Sequence, residues 1–194
     1  MKNVISNKVN EEELVSKSKI QASSDSDQSE TEEESSKETI MYQNINLLKT
    51  IAETLNSIIE ESNKSKKKQK DHSPFVHEHA PKISLFDYLL RIQKYSEVED
   101  STLIMALIYI DRICKKKGIA LSKYNIHRLL FTSILIAIKY NEDTICDNLY
   151  YSKIAGVTKK ELQVLEYEFM KIIDFDLFVP NQIYQAYYDF LNYN

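Results

Sequence analysis

The chain has 194 residues, room for one domain of ordinary size and a tail, and a formal net charge of −4. From position 81 onward, Lys plus Arg and Asp plus Glu balance at 14 against 14, so all of that charge lies in the first 80 residues. A neutral C-terminal part argues against a nucleic-acid surface, which needs a basic face to meet phosphates, and favours a protein partner. Two glycines and three prolines are too few for the tight turns of a β-sandwich or barrel, which leaves an all-α fold.

Residues 1–38 are rich in Ser, Glu and Asp and nearly free of aromatics, so they bury too little to offset the entropy of ordering and are expected to be a disordered acidic tail. Within them Ser24, Ser29 and Thr31 each have an acid three positions on, the pattern an acid-directed kinase accepts. Over residues 39–61, Ile45, Leu48, Ile51 or Ala52, Leu55, Ile58 and Ile59 recur at spacings of three and four, with Asn46, Lys49, Glu53, Asn56 and Glu60 opposite. That periodicity predicts an amphipathic helix packed on the main domain or on a partner.

A basic linker over residues 62–80 follows. It contains Lys64-Ser-Lys-Lys-Lys-Gln-Lys70, which suits either a solvated connection or a nuclear localisation signal. His72, His77 and His79 come next without Cys or helical register, so no metal site is expected. Ser73-Pro74 is a minimal site for a proline-directed kinase.

From 81 to 194 the pattern is of closely spaced helices. The first is expected over residues 84–95, with Ser84 and Asp87 at capping-box spacing and Phe86, Leu89 and Leu90 as inward candidates. The second, over 100–116, is uncharged from Thr102 to Ile110 and ends in Tyr109-Ile-Asp-Arg112. Asp111 thus sits at the edge of a buried surface and needs a cation, and Arg91 on the preceding helix is the candidate. Gly118 closes that helix, and Ser122 or Asn125 opens the next.

Residues 126–140 form the centre of the fold. No charged side chain lies between Leu129 and Ile138, and a helix apolar on every face must be surrounded by protein or lipid. Spanning a bilayer takes about 20 apolar residues, twice this run, so the surroundings are protein. Residues 147–155 lead through Gly156 to a second capping box, Thr158-Lys-Lys-Glu161, whose helix carries Leu162, Leu165, Phe169, Ile172 and Ile173 on one stripe. Pro180 suits the first turn of a last helix with Ile183, Tyr187, Phe190 and Leu191.

Catalytic constellations do not emerge. There is no Gly-x-Gly-x-x-Gly, Gly-Lys-Ser/Thr or His-Glu-x-x-His, and His127, near a helix start, reads as a packing or capping residue. No enzyme activity, cofactor or small-molecule substrate is expected. Cys114 and Cys146 lack metal spacing, and the chain lacks a basic start followed by an apolar signal core, so an intracellular, reduced protein without a membrane segment is expected.

The succession Lys82-Ile-Ser-Leu-Phe-Asp-Tyr-Leu-Leu-Arg-Ile92, Tyr109-Ile-Asp-Arg112, Asn125-Ile-His-Arg-Leu-Leu130, Ala137-Ile-Lys-Tyr140, Asn148-Leu-Tyr-Tyr-Ser-Lys-Ile-Ala-Gly156, Leu165-Glu166 and Asp174-Phe-Asp-Leu177 resembles a cyclin box. The Asn125 and Asn148 segments are similar to P/U-type cyclins. The resemblance implies a five-helix box centred on its third helix, flanked by an N-terminal and a C-terminal helix. It also implies a regulatory subunit that binds and activates a cyclin-dependent kinase, with Lys139 and Glu166 matching the pair that grips the kinase's helix C. Arg91 and Asp111 match an ion pair between the first two box helices. The Met-Arg-Ala-Ile-Leu docking patch of cell-cycle cyclins is missing from the first box helix. A cyclin-fold scaffold or transcription-related adaptor without kinase activation is the alternative.

Overall fold

The computed structural model describes residues 29–64 and 73–193, with side chains in the first helix from Ile45 onward. Seven α-helices and no strand occur among the described residues: α1 Ser29–Lys64, α2 Leu85–Ser96, α3 Asp100–Lys117, α4 Ile126–Asn141, α5 Asn148–Ala155, α6 Lys159–Ile173 and α7 Asn181–Tyr193. This is the all-α plan of five box helices, α2 to α6, with one helix on either side.

The helix limits follow from local chemistry. Ser84 Oγ accepts from the amide of Asp87 at 3.0 Å and donates to its carboxylate at 2.7 Å, so α2 starts with both groups satisfied. Asp147 caps α5 through the amide of Tyr150, and Thr158 caps α6 through that of Glu161. Gly118 and Gly156 close α3 and α5 with φ of 64° and 74°, the left-handed conformation that costs glycine nothing.

α4 packs against α2, α3, α5 and α6, and every residue from Leu129 to Ile138 is buried. Each fully buried Leu or Ile contributes about 1.5 to 3 kcal/mol, so this one helix anchors the core. α1 lays Leu47, Leu48, Ile51, Ala52, Leu55 and Ile59 on α2 and α7, leaving Lys49 and Glu53 outside. On α6 the stripe Leu162, Leu165, Phe169 and Ile173 is buried, and Phe169 meets the buried Phe75 edge to face.

Three expectations need correction. α1 begins at Ser29, well before residue 39, over a run rich in Glu whose intrinsic helix propensity needs no apolar stripe. The remainder of the expected tail, with Ser24, lies outside the described residues, as do Lys66 to Lys70 of the basic run and His72. Ile183, expected inward, is exposed, and α7 packs through Tyr187 and Leu191. The third correction concerns Arg91 and Asp111. α2 packs on α1, α4 and α5, whereas α3 packs on α4, α6 and α7, so the two helices meet through α4 rather than packing closely on each other. Asp111 takes Lys115, one turn along α3, and the Tyr187 hydroxyl of α7, while Arg91 donates to the Lys153 carbonyl of α5 at 2.8 Å.

Candidate functional site

α4 leaves the core at Lys139, α5 begins at Asn148, and Glu166 lies midway along α6, so three elements bring three polar side chains to one place. Lys139 Nζ is 2.5 Å from Glu166 Oε1 and donates to Asn148 Oδ1 at 2.8 Å. Asn148 Nδ2 in turn donates to Glu166 Oε2 at 3.0 Å. The cluster is a closed ring of charge-assisted bonds around a half-buried ion pair, with Lys139 and Glu166 side chains 28% and 21% exposed. Two of the three ammonium donors are used in the ring.

Each member of the ring is followed in the chain by an exposed apolar or aromatic residue: Tyr140, Leu149 and Tyr167. Phe175 and Phe178, beyond the end of α6, are about two-thirds exposed, at 66% and 67%. Asp174 and Phe175 both have positive φ, 62° and 55°. A bulky residue in that region is strained, and such strain persists only where the surroundings impose it.

Here the amides of Asp174 and Phe175 close α6 on the Lys171 and Met170 carbonyls, and the residues that follow are held by the Tyr109-Ile-Asp-Arg112 motif. Buried Tyr109 donates its hydroxyl to the Leu177 carbonyl at 2.8 Å, and burial raises its pKa so that the proton stays in place. Arg112 donates to the carbonyls of Asp176 and Phe178 at 2.9 and 2.8 Å. Asp111 holds α7 through Tyr187 at 2.9 Å. Three residues of one motif thus fix the connection from α6 to α7 and display two phenylalanines on it.

A second ion pair ties the segment before α2 to the core. Arg128 of α4 pairs with Glu161 of α6 and donates to the Pro74 and Val76 carbonyls at 2.9 and 3.1 Å. His127 is buried against Tyr88, with Nε2 at 3.1 Å from the Ile83 carbonyl. Among the described residues no group of three or more His, Cys, Asp or Glu side chains could hold a metal, and no helix is long and apolar enough to cross a membrane.

Lys139 and Glu166 are the pair that the sequence singles out; Asn148, Tyr109, Arg112 and Arg128 stand in the same succession of motifs, where the sequence alone assigns them no role. For Tyr109 and Arg112 the signal was their place at the end of an uncharged helix. Polar groups there must find partners across the fold.

A model of the cyclin family fits residues 4–177, and the chain belongs to the cyclin family. Cyclin-U4-1 of Arabidopsis thaliana is 35% identical over 112 residues, 57% of this chain and 55% of that protein. Cyclin-U3-1 of the same plant is 39% identical over 107 residues, 55% and 48% of the two chains. Cyclin-P3-1 of Oryza sativa subsp. japonica is 35% identical over 121 residues, 62% and 51% of the two. Within the family this is therefore a P/U-type cyclin. The chain spans about half the length of these curated relatives. Cyclins are regulatory, generally non-catalytic proteins.

Proposed function

We propose that this cyclin binds a cyclin-dependent protein kinase and activates it by positioning the kinase's helix C. A kinase is active when a glutamate on that helix pairs with the lysine that holds the ATP phosphates. A rigid surface complementary only to the inward position of the helix shifts the population toward it. The observation that carries this reading is the Lys139–Asn148–Glu166 ring beside exposed Tyr140, Leu149 and Tyr167. In it Lys139 offers its remaining donor to a backbone carbonyl of the partner helix, and Glu166 offers unfilled lone pairs to backbone amides. Phe175 and Phe178 supply the apolar part of the contact.

On this reading residues 81–194 act as the kinase-binding box with its C-terminal helix, α1 supports it, and residues 62–80 connect the two. Ser24, Ser29, Thr31 and Ser73 are proposed phosphorylation sites. A phosphate at Ser29 or Thr31 would fall in the first turn of α1, where the helix dipole favours negative charge.

The test is to recover the tagged full chain from cells, identify a co-purified kinase by mass spectrometry, and add the purified chain to that kinase. Stoichiometric binding with a rise in substrate phosphorylation is expected. A bound kinase whose activity does not change would overturn activation and favour a scaffold.

A further inference from the structure

Between the C-terminal half of α2 and α5 runs an open groove of about 670 Å³. Leu90 and Ile154 give it an apolar floor, and Arg91, Lys94 and Lys153 stand around it, all three exposed. Its walls are tied together: Arg91 donates to the Lys153 carbonyl at 2.8 Å, and Tyr150 donates its hydroxyl to the Tyr95 carbonyl at 2.6 Å. No carboxylate lines it. The nearby acids on the same elements are placed elsewhere, since Asp87 takes the Ser84 hydroxyl, Asp147 caps α5, and Glu97 lies past the end of α2. In a region whose charges balance overall, three cations around an apolar trough fit an acidic peptide with an apolar residue beside its charges.

The chain carries such a segment. Glu11-Glu12-Glu13-Leu14-Val15 sets three consecutive acids before two apolar residues. It can also reach. Asn46 and Leu47 of α1 share a pocket with Asp100, the first residue of α3, so α1 enters the bundle at the end where α2 finishes and Lys94 and Tyr95 stand. From there α1 extends about 26 Å back to Ser29. The chain from Val15 to Ser29 spans up to about 46 Å when extended, longer than that overhang of α1.

We infer that the α2–α5 groove is the docking site for this chain's own segment from Glu11 to Val15. The inference does not depend on the kinase proposal, because neither Lys139 nor Glu166 lines the groove.

The test uses the full chain with Asn10→Cys in a Cys146→Ser background, carrying a nitroxide at position 10. Cys114 stays silent, because burial pushes its thiol up to about 12. Paramagnetic broadening of the amide signals of residues 90–95 and 150–154 is expected. It should fall at least about fivefold when Lys94→Glu and Lys153→Glu reverse the groove, and return when Glu11→Lys, Glu12→Lys and Glu13→Lys are added. Three results would overturn the inference: no broadening at the groove, broadening unchanged by the reversal, or broadening that grows with protein concentration, which would place the segment of a second copy there.

Discussion

Tyr187 donates its hydroxyl to Asp111 at 2.9 Å, joining the end of α3 to α7. Asp111 is 13% exposed on its side chain, and Lys115 supplies the cation from one turn away. Tyr187→Phe removes one hydrogen bond to a charged acceptor and should cost about 1.5 to 3 kcal/mol. Asp111→Ala removes the acceptor and leaves a buried hydroxyl, for about the same loss. Arg91→Ala should change stability by less than about 1 kcal/mol, because Arg91 is exposed and bonds only a carbonyl. Urea denaturation of the three variants checks this. An Arg91→Ala loss as large as that of Asp111→Ala would bring back the pairing of those two residues.

Phe175 offers a prediction in which stability and binding move in opposite directions. Its φ of 55° costs a non-glycine residue about 1 to 2 kcal/mol, and at 66% exposure its ring returns little by burial. Phe175→Gly should therefore raise stability by up to about 1 kcal/mol, the gain being reduced by the greater freedom of glycine in the unfolded chain. The same change removes an aromatic anchor and should weaken kinase binding at least about tenfold. Thermal unfolding and a binding titration on one preparation decide it. Unchanged affinity would remove Phe175 from the interface.

The pH dependence follows from two histidines. Burial lowers the pKa of His127, although the hydrogen bond to the Ile83 carbonyl opposes it; Nδ1 is buried with no partner for an added proton. Burial also lowers His77, aided by the neighbouring charge of Arg128. Since both folded values lie below the unfolded value of about 6.5, the unfolded chain takes up protons first as pH falls. Their contribution to stability is complete above about pH 6.5 and declines as pH drops below it. The melting temperature of the parent should fall between pH 7 and pH 5, and His127→Gln should flatten part of that slope. A slope that His127→Gln leaves untouched would assign the effect to other groups.

The architecture was legible in the sequence where one physical demand had one solution. An uncharged run too short for a bilayer, from Leu129 to Ile138, could only be the centre of a bundle, and capping residues such as Ser84 and Thr158 marked helix starts directly. Asp111 shows the limit: its burial demanded a partner, but periodicity along α2 and α3 could not reveal that the helices meet through α4 rather than packing closely on each other. The positive φ of Phe175 was beyond reach too, since it belongs to a turn that closes α6 through the Met170 carbonyl and runs into residues 176–178, which Tyr109 and Arg112 hold from another part of the chain. Lys139 and Glu166 stood out through family resemblance, whereas their bonds to each other and to Asn148 depend on how α4, α5 and α6 meet.

That mutual pairing sharpens what the two residues should do when changed. If they were free surface charges, truncating either would leave the fold alone. As a half-buried pair closed by Asn148, each single truncation strands the other charge, and Lys139→Ala or Glu166→Ala should cost about 1 to 3 kcal/mol of stability, less than a fully buried pair because solvent still reaches both. Replacing both, as Lys139→Met with Glu166→Gln, strands neither, so the double variant should unfold close to the parent. Kinase binding behaves differently, because each variant removes the ammonium donor, the carboxylate charge, or both, from what is offered to the partner. Affinity should fall at least about thirtyfold in each, the equivalent of about 2 kcal/mol or more at a desolvated contact. Thermal unfolding beside titration against the kinase separates the two roles. A double variant with parent-like stability and a collapsed affinity would support Lys139 and Glu166 as the kinase grip; parent-like affinity in that variant would leave the ring a joint of the fold.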